Sequence, residues 1–220
     1  MRKLVIFGLG DMAQLAHHYF SAASDYEVVA FSVDAAYVTE PTFCGLPVVP
    51  FEKIEGEYPP SAVDFFVALG YSKLNQVRKD KYLSVKALSY RLASYVSPDA
   101  TILNQGRIGE NCFIFEDNTI QPFVTIGNNV TLWSGNHIGH HSTIKDHSFL
   151  ASHVVVSGGV EIGEQCFIGV NATLRDHIKI GERCVIGAGA LLLADALPEG
   201  VYIGAATERS KVPSTRLRNI

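Results

Sequence analysis

From Val96 to Leu192 an aliphatic residue returns at every sixth position, with no break in register. The stretch IGNNVTLWSGNHIGHHSTIKDHSFLASHVVVS, residues 126–157, shows the pattern. Ile126, Leu132, Ile138, Ile144, Leu150 and Val156 are separated by small and polar residues, and histidines crowd the gaps. Neither the 3.6-residue period of an amphipathic helix nor the plain alternation of a half-buried strand yields a strict six. A hexapeptide period predicts a parallel β-helix, each hexad being a short strand followed by a tight corner. Four residues after each aliphatic stands a small or modest residue, as at Cys112, Val124, Ser142, Cys166 and Ala172. Glycine often follows the aliphatic directly, as at 109, 127, 139 and 163. The aliphatic and the small residue face inward. Three hexads close one triangular coil, and successive coils stack at about 4.8 Å like neighbouring strands. This reading places the β-helix over 96–193, with the preceding domain covering one end and 194–220 capping the other.

The first ninety residues change period. Lys3–Phe7 reads as a strand, Gly8-Leu9-Gly10-Asp11-Met12-Ala13 as a GxGxxA turn, the next residues as a helix, and Glu27–Val33 as a second strand ending at Asp34. That βαβ unit opens a small α/β, Rossmann-like domain over 1–95. Its glycines allow backbone amides to meet a phosphate, so Gly8, Gly10, Asp11, Met12 and Asp34 are candidates for binding a sugar nucleotide. A purely structural turn and an NAD site are the alternatives. Lys73–Ser89 reads as a further helix, and Ser97-Pro98-Asp99 marks the boundary.

Composition narrows the classes. Charged residues make up 18% and the net charge is −4, which disfavours nucleic acid or an anionic membrane surface as partner. No apolar run reaches the length of a bilayer span. The four cysteines form no CxxC pair, which fits a reduced, cytoplasmic protein. Cys166 and Cys184 fall one coil apart and read as small core residues. The histidine spacings do not include the HxxxxH pair of zinc-binding β-helices, so no metal is expected. His147, His153 and His177 share one hexad position and read as surface or interface filling.

A half-Rossmann domain fused to a hexapeptide β-helix resembles the bacterial sugar acyltransferases of the NeuD/PglD type. The resemblance rests on GLGDMA, FVALG, ASYVSPDATI, the hexads, GHHSTI, GVNATL, VIGAGALLL and VYIGAA, and runs from residue 3 to about 206. It implies a left-handed β-helix, a homotrimer and an acetyl-CoA-dependent acetylation of a nucleotide-linked amino sugar. It implies a base at His140, on an outward corner in a cleft between subunits, with the amine attacking the thioester directly. No cysteine sits beside His140 in the coil map, which disfavours a covalent acyl-enzyme. His141 follows it where the family carries an acid, so His141 shares the orienting work or a neighbouring subunit supplies it. Met12 stands where the family tends to carry a histidine. The CoA-binding residues implied are Gly158, whose N–H would meet the acetyl oxygen, Val170 and Ala188 along the pantetheine, and Gly204, Ala205 and Arg209 towards the adenine end. Sugar O-acetylation, or a sugar-nucleotide-binding trimer without catalysis, is the alternative function.

Overall fold

The computed structural model describes residues 1–209, 211 and 213–216. The N-terminal part is an α/β layer. Strands β1 (Arg2–Phe7), β2 (Tyr26–Val33), β3 (Thr42–Phe43), β4 (Leu46–Pro50) and β5 (Asp64–Val67) form one sheet in the order β3-β4-β2-β1-β5. All neighbours run parallel except the β3–β4 hairpin. Helix α1 (Asp11–Ala22) buries Ala13, Ala16 and Phe20 against one side of it. Helix α2 (Ile54–Glu57) is a single turn, and helix α3 (Gln76–Ala87) closes the layer.

From Tyr95 the chain winds into short strands of two residues, each paired with the strand 18 residues on, as Thr131 with Phe149 and Ile138 with Val156. Three flat faces result. The first contains 95–96, 113–114, 131–132, 149–150, 167–168, 185–186 and 201–202. The second runs from 101–102 to 191–192 and the third from 125–126 to 179–180. The aliphatic series and the small series fill one core, in which Ile114, Leu132, Ile138, Val154 and Cys166 are fully buried. Burying each such aliphatic removes it from water for about 1.5–3 kcal/mol, which is what holds two-residue strands together.

The corners explain the histidines. Every sixth residue from Gln105 to Gly189 has φ between +53° and +77°, among them Asn111, Asn129, His141, His147, His153 and His177. Asn, Asp and His enter this left-handed region more readily than other non-glycine residues.

The N-terminal domain does not sit on the end of the β-helix, contrary to the expectation from sequence. It packs sideways on the first face. The outward residues there include Tyr95, Phe113, Phe149 and Phe167, an apolar stripe that needs cover. Tyr19 of α1 meets Tyr95, Phe113 and Phe115 and donates its hydroxyl to Glu116. From α3, Lys79 pairs with Glu164, and Tyr82 donates to Glu110. His147 is accordingly not a surface residue: it is 5% exposed, beneath α3, with the Tyr82 ring 5.3 Å away. The segment after 193 adds to the solenoid, since Val201–Tyr202 pairs with Val185–Ile186.

Candidate active site

The corner between the second and third faces carries the densest chemistry. Ile138 anchors it in the core, and His140 and His141 project outward, both exposed. Gln121, one coil earlier, accepts the His140 backbone N–H at 2.8 Å. The two imidazoles meet through their Nδ1 atoms at 3.1 Å. One coil later lies Gly158. A Cβ placed there would stand 2.6 Å from His140 Cε1 and 2.8 Å from Nε2, so the ring lies directly on the glycine and any side chain there would displace it. The Gly158 carbonyl accepts from His177 N, while its own N–H has no acceptor among the described residues. This corner thus sets an imidazole against an amide N–H that has no acceptor among the described residues.

A second group lies on the neighbouring corner, between the first and second faces. Val170 and Ala188 line an apolar cavity of about 370 Å³ with Trp133, Phe149, Phe167 and, from the loop after β5, Tyr71. Tyr71 stands 5.1 and 4.9 Å from the Phe149 and Phe167 rings. Sequence reading did not single out these four aromatics. The signal for Phe149 and Phe167 was their 18-residue spacing at an outward strand position, in series with Tyr95 and Phe113 and interrupted by Thr131; Tyr71 and Trp133 lie outside that series. Gly204 continues the line: a Cβ there would approach Ala188 O to 2.1 Å. With Ala205 it borders an open cleft of about 730 Å³ formed by 189–195 and 201–205. Arg209 is exposed in the tail beyond.

The third group is the glycine loop at the C-terminal edge of the parallel sheet. Gly8 has φ +130°, and a Cβ would fall 2.7 Å from Ala68 O, so a glycine is required. Gly10 precedes α1 with φ −96° and open space around it. Asp11 is exposed, and Met12 is half-buried against the domain core. Asp34 is committed to Lys81 of α3 at 2.5 Å, whose ammonium lies over the Phe7 and Phe51 rings. Among the described residues no group of three His, Cys, Asp or Glu could hold a metal ion, and no helix is long and apolar enough to cross a membrane.

The structure therefore unites His140, His141 and Gly158, and separately Val170, Ala188 and Gly204. Within one protomer these groups occupy different edges of the prism. The glycine loop belongs to the domain on the first face, opposite the His140 corner.

These features define a left-handed β-helix transferase fold with an N-terminal α/β domain. The bacterial transferase hexapeptide (six repeats) family matches residues 106–139, 124–158 and 159–194, and this β-helix is a run of such repeats. Among solved structures, the whole chain is similar to the acetyltransferase domain of PglB from Neisseria gonorrhoeae FA1090. Identity is 25%, over 93% of this chain and 97% of that one, with a TM-score of 0.83. PerB from Caulobacter crescentus, solved in complex with CoA and GDP-perosamine, shares 23% identity over 93% and 95%, TM-score 0.82. WeeI from Acinetobacter baumannii AYE shares 18% over 93% and 97%, TM-score 0.77. No curated protein sequence matches the chain.

Proposed function

We propose that the protein is an acyl-CoA-dependent acyltransferase that acetylates the amino group of a nucleotide-linked amino-deoxy sugar. The observation that carries this reading is the His140 ring seated on Gly158, beside a free amide. The whole-chain likeness to an acetyltransferase domain, and to a structure holding CoA and GDP-perosamine, supports it.

In this reading the amine attacks the thioester carbonyl carbon directly. His140 Nε2 takes the proton that the nitrogen loses, the C–S bond breaks, and the CoA thiolate leaves and is protonated. The Gly158 N–H donates to the carbonyl oxygen as charge builds there. The pantetheine follows Val170 and Ala188, and the adenine end lies towards Gly204, Ala205 and Arg209. The sugar-nucleotide phosphates meet the loop at Gly8, Gly10, Asp11 and Met12, with Asp34 at the edge of the same site. Because these groups sit on different edges of one protomer, the site is assembled between subunits of a homotrimer.

The test is thiol release from acetyl-CoA with GDP-perosamine and UDP-linked 4-amino-sugars as acceptors, each beside its hydroxyl analogue. The reading expects turnover with an amine and its loss, by about a hundredfold or more, in His140→Ala. Preference for the hydroxyl analogue would reassign the protein to O-acetylation. Silence across the panel with no CoA binding would leave a sugar-nucleotide-binding trimer.

A further inference from the structure

One corner position, followed coil by coil, holds Phe115, Trp133, Ala151 and Gly169, because each lies directly after a paired strand of the first face. Side-chain size falls along that column. Phe115 and Trp133 stack in parallel, at 4.8 Å and 5°. Beyond Trp133 the column shrinks to a methyl and then to a hydrogen, and the space so left is the cavity of about 370 Å³ under Tyr71. Phe149 and Phe167, stacked at 5.7 Å and 16°, form its side. Trp133 bounds it towards the earlier coils, and Val170 and Ala188 continue it towards the later ones.

The roof is a strained turn. After Tyr71, the residues Lys73, Leu74 and Asn75 have φ of +50°, +52° and +62°. L-residues avoid the left-handed region in succession, and such strain persists only where the surroundings enforce it. The β-helix enforces it here: Gln165 donates to Leu74 O at 3.0 Å, and Asn75 donates to Cys166 O at 3.1 Å. The turn sets Tyr71 against the Phe149 and Phe167 rings yet leaves it 55% exposed. Burial of the tyrosine does not offset the strain, so what the turn secures is a wall of the cavity.

The lining has no charged side chain. Its polar side-chain groups are the Tyr71 hydroxyl, the Trp133 indole N–H and the Ser152 hydroxyl. Such a surface suits hydrocarbon and is unfavourable for a phosphate or an ammonium. With phosphates at Gly8 and Gly10 and the amine at His140, a nucleobase lies beyond the phosphates, away from the reacting end. On the pantetheine track the adenine end points to Gly204. The group reached on passing Val170 in the other direction is therefore the acyl end of the thioester.

We propose that this aromatic cavity takes the hydrocarbon tail of an acyl-CoA longer than acetyl, which makes short-chain acyl-CoAs such as butanoyl-CoA donors for the protein. The proposal rests on the acyltransferase reading above. An acetyl methyl is close in size to a water molecule, whose share of liquid volume is about 30 Å³, and leaves most of the cavity unfilled. The chemistry is unchanged. The C–N bond forms as the C–S bond breaks, the amine proton passes to His140, and the CoA thiolate leaves and is protonated. Only the group carried on the carbonyl carbon differs.

Trp133 is the one tryptophan of the chain, so intrinsic fluorescence reports on the cavity. The full chain is titrated with CoA and with acetyl-, butanoyl-, hexanoyl- and decanoyl-CoA. Emission is expected to shift to the blue with butanoyl- and hexanoyl-CoA and to stay in place with CoA. Burial of a methylene, at about 0.8 kcal/mol, corresponds to about fourfold in affinity. Butanoyl-CoA should therefore bind about tenfold more tightly than acetyl-CoA, and its KM in thiol release should fall in step. Decanoyl-CoA should gain nothing over hexanoyl-CoA, because Trp133 ends the cavity. Trp133→Phe removes the signal and so assigns it. Ala151→Phe extends the aromatic column into the cavity, and Tyr71→Ala removes a wall. Each should bring the butanoyl-to-acetyl affinity ratio down to about one. If CoA alone moves the emission as far as butanoyl-CoA, or affinity does not depend on chain length, the proposal fails. It fails too if GDP-perosamine moves the emission and a longer acyl chain does not, since the acceptor then owns the cavity. Thiol release from acetyl-CoA with no gain from butanoyl-CoA keeps the acyltransferase reading and sinks the proposal. Binding that tightens with chain length, without thiol release from any donor across the acceptors named above, overturns that reading and leaves the acyl site standing.

Discussion

At the scale of single residues, the corner position imposes one backbone demand and leaves chemistry free. Histidine satisfies the demand at 141, 147, 153 and 177, yet the environments differ. His147 belongs to a buried ladder. Asn111 donates to Asn129 Oδ1 at 2.8 Å, so the Asn129 amide nitrogen faces His147 Nδ1 at 3.0 Å and donates to it. His147 is therefore neutral, with its hydrogen on Nε2. Burial, reinforced by the nearby Lys79 charge, pushes its pKa down to about 4. The unfolded side chain titrates near 6.5. Between those values only the unfolded chain binds the proton, so this contribution is complete above about pH 6.5 and is lost as pH falls towards 4. About 2 kcal/mol of stability should disappear between pH 7 and 4.5 on this account. His147→Asn, which suits the corner and can still accept from Asn129, should flatten that slope in urea unfolding. An unchanged slope would mean that another group governs acid sensitivity. Gly158→Ala tests the opposite kind of residue. Its methyl would meet the His140 ring at under 3 Å, so kcat should fall about a hundredfold while the melting temperature stays near wild type.

At the scale of elements, α3 is the fastener between the two halves. Arg78 on it is buried and has no carboxylate partner among the described residues. Its guanidinium donates to Thr131 Oγ1 at 2.5 Å, to Asn75 Oδ1 and to the carbonyls of His147 and Ser148, and burial lowers its pKa to about 10. Asn75 in turn donates to Cys166 O, and Gln165 to Leu74 O. Arg78→Ala would strand those acceptors, so we expect a loss of about 3 kcal/mol, read as earlier urea unfolding of the α/β domain while the β-helix persists. The β-helix itself was legible from its period, because a core one residue wide per strand leaves no freedom in spacing. The docking of the domain was not read, although Tyr95, Phe113, Phe149 and Phe167 wrote an aromatic stripe in an 18-residue series interrupted only at Thr131. The other two faces carry outward residues such as His137 and Thr173, or Glu161 and Lys179. Arg78 and His147 escaped because each looks like a surface residue until the partner element is known. At the candidate site, His140 and Gly158 stand 18 residues apart, one coil, so their stacking is legible from the period, whereas the cavity at Tyr71 and Trp133 depends on how a loop of one domain meets a corner of the other.

At the scale of the whole molecule, the decisive fact is that one protomer holds the parts on different edges. Covering the first face with the α/β domain leaves the second face, with Val155 and Leu191 exposed outward, between the His140 corner and the Val170 corner. Three copies meeting through that face would bring the His140 corner of one beside the Val170 corner and glycine loop of the next. A cyclic, heterologous contact of this kind closes into a ring. Sedimentation should then give three chains, and Val155→Lys, which sets a charge on that face, should yield folded, inactive protomers. Complementation tests the shared site itself. His140→Ala removes the proposed base and spares the loop. Gly10→Asp keeps the fold, because a side chain there meets nothing within 4 Å, but sets a carboxylate against the phosphates. Each variant alone should be inactive. Unfolded together and refolded as mixed trimers, they regain a site wherever an intact loop adjoins an intact histidine on the next chain. Random assortment of equal amounts makes that about a quarter of all sites, so about a quarter of wild-type activity should return. A site housed within one chain would recover nothing, because every protomer in the mixture carries a lesion.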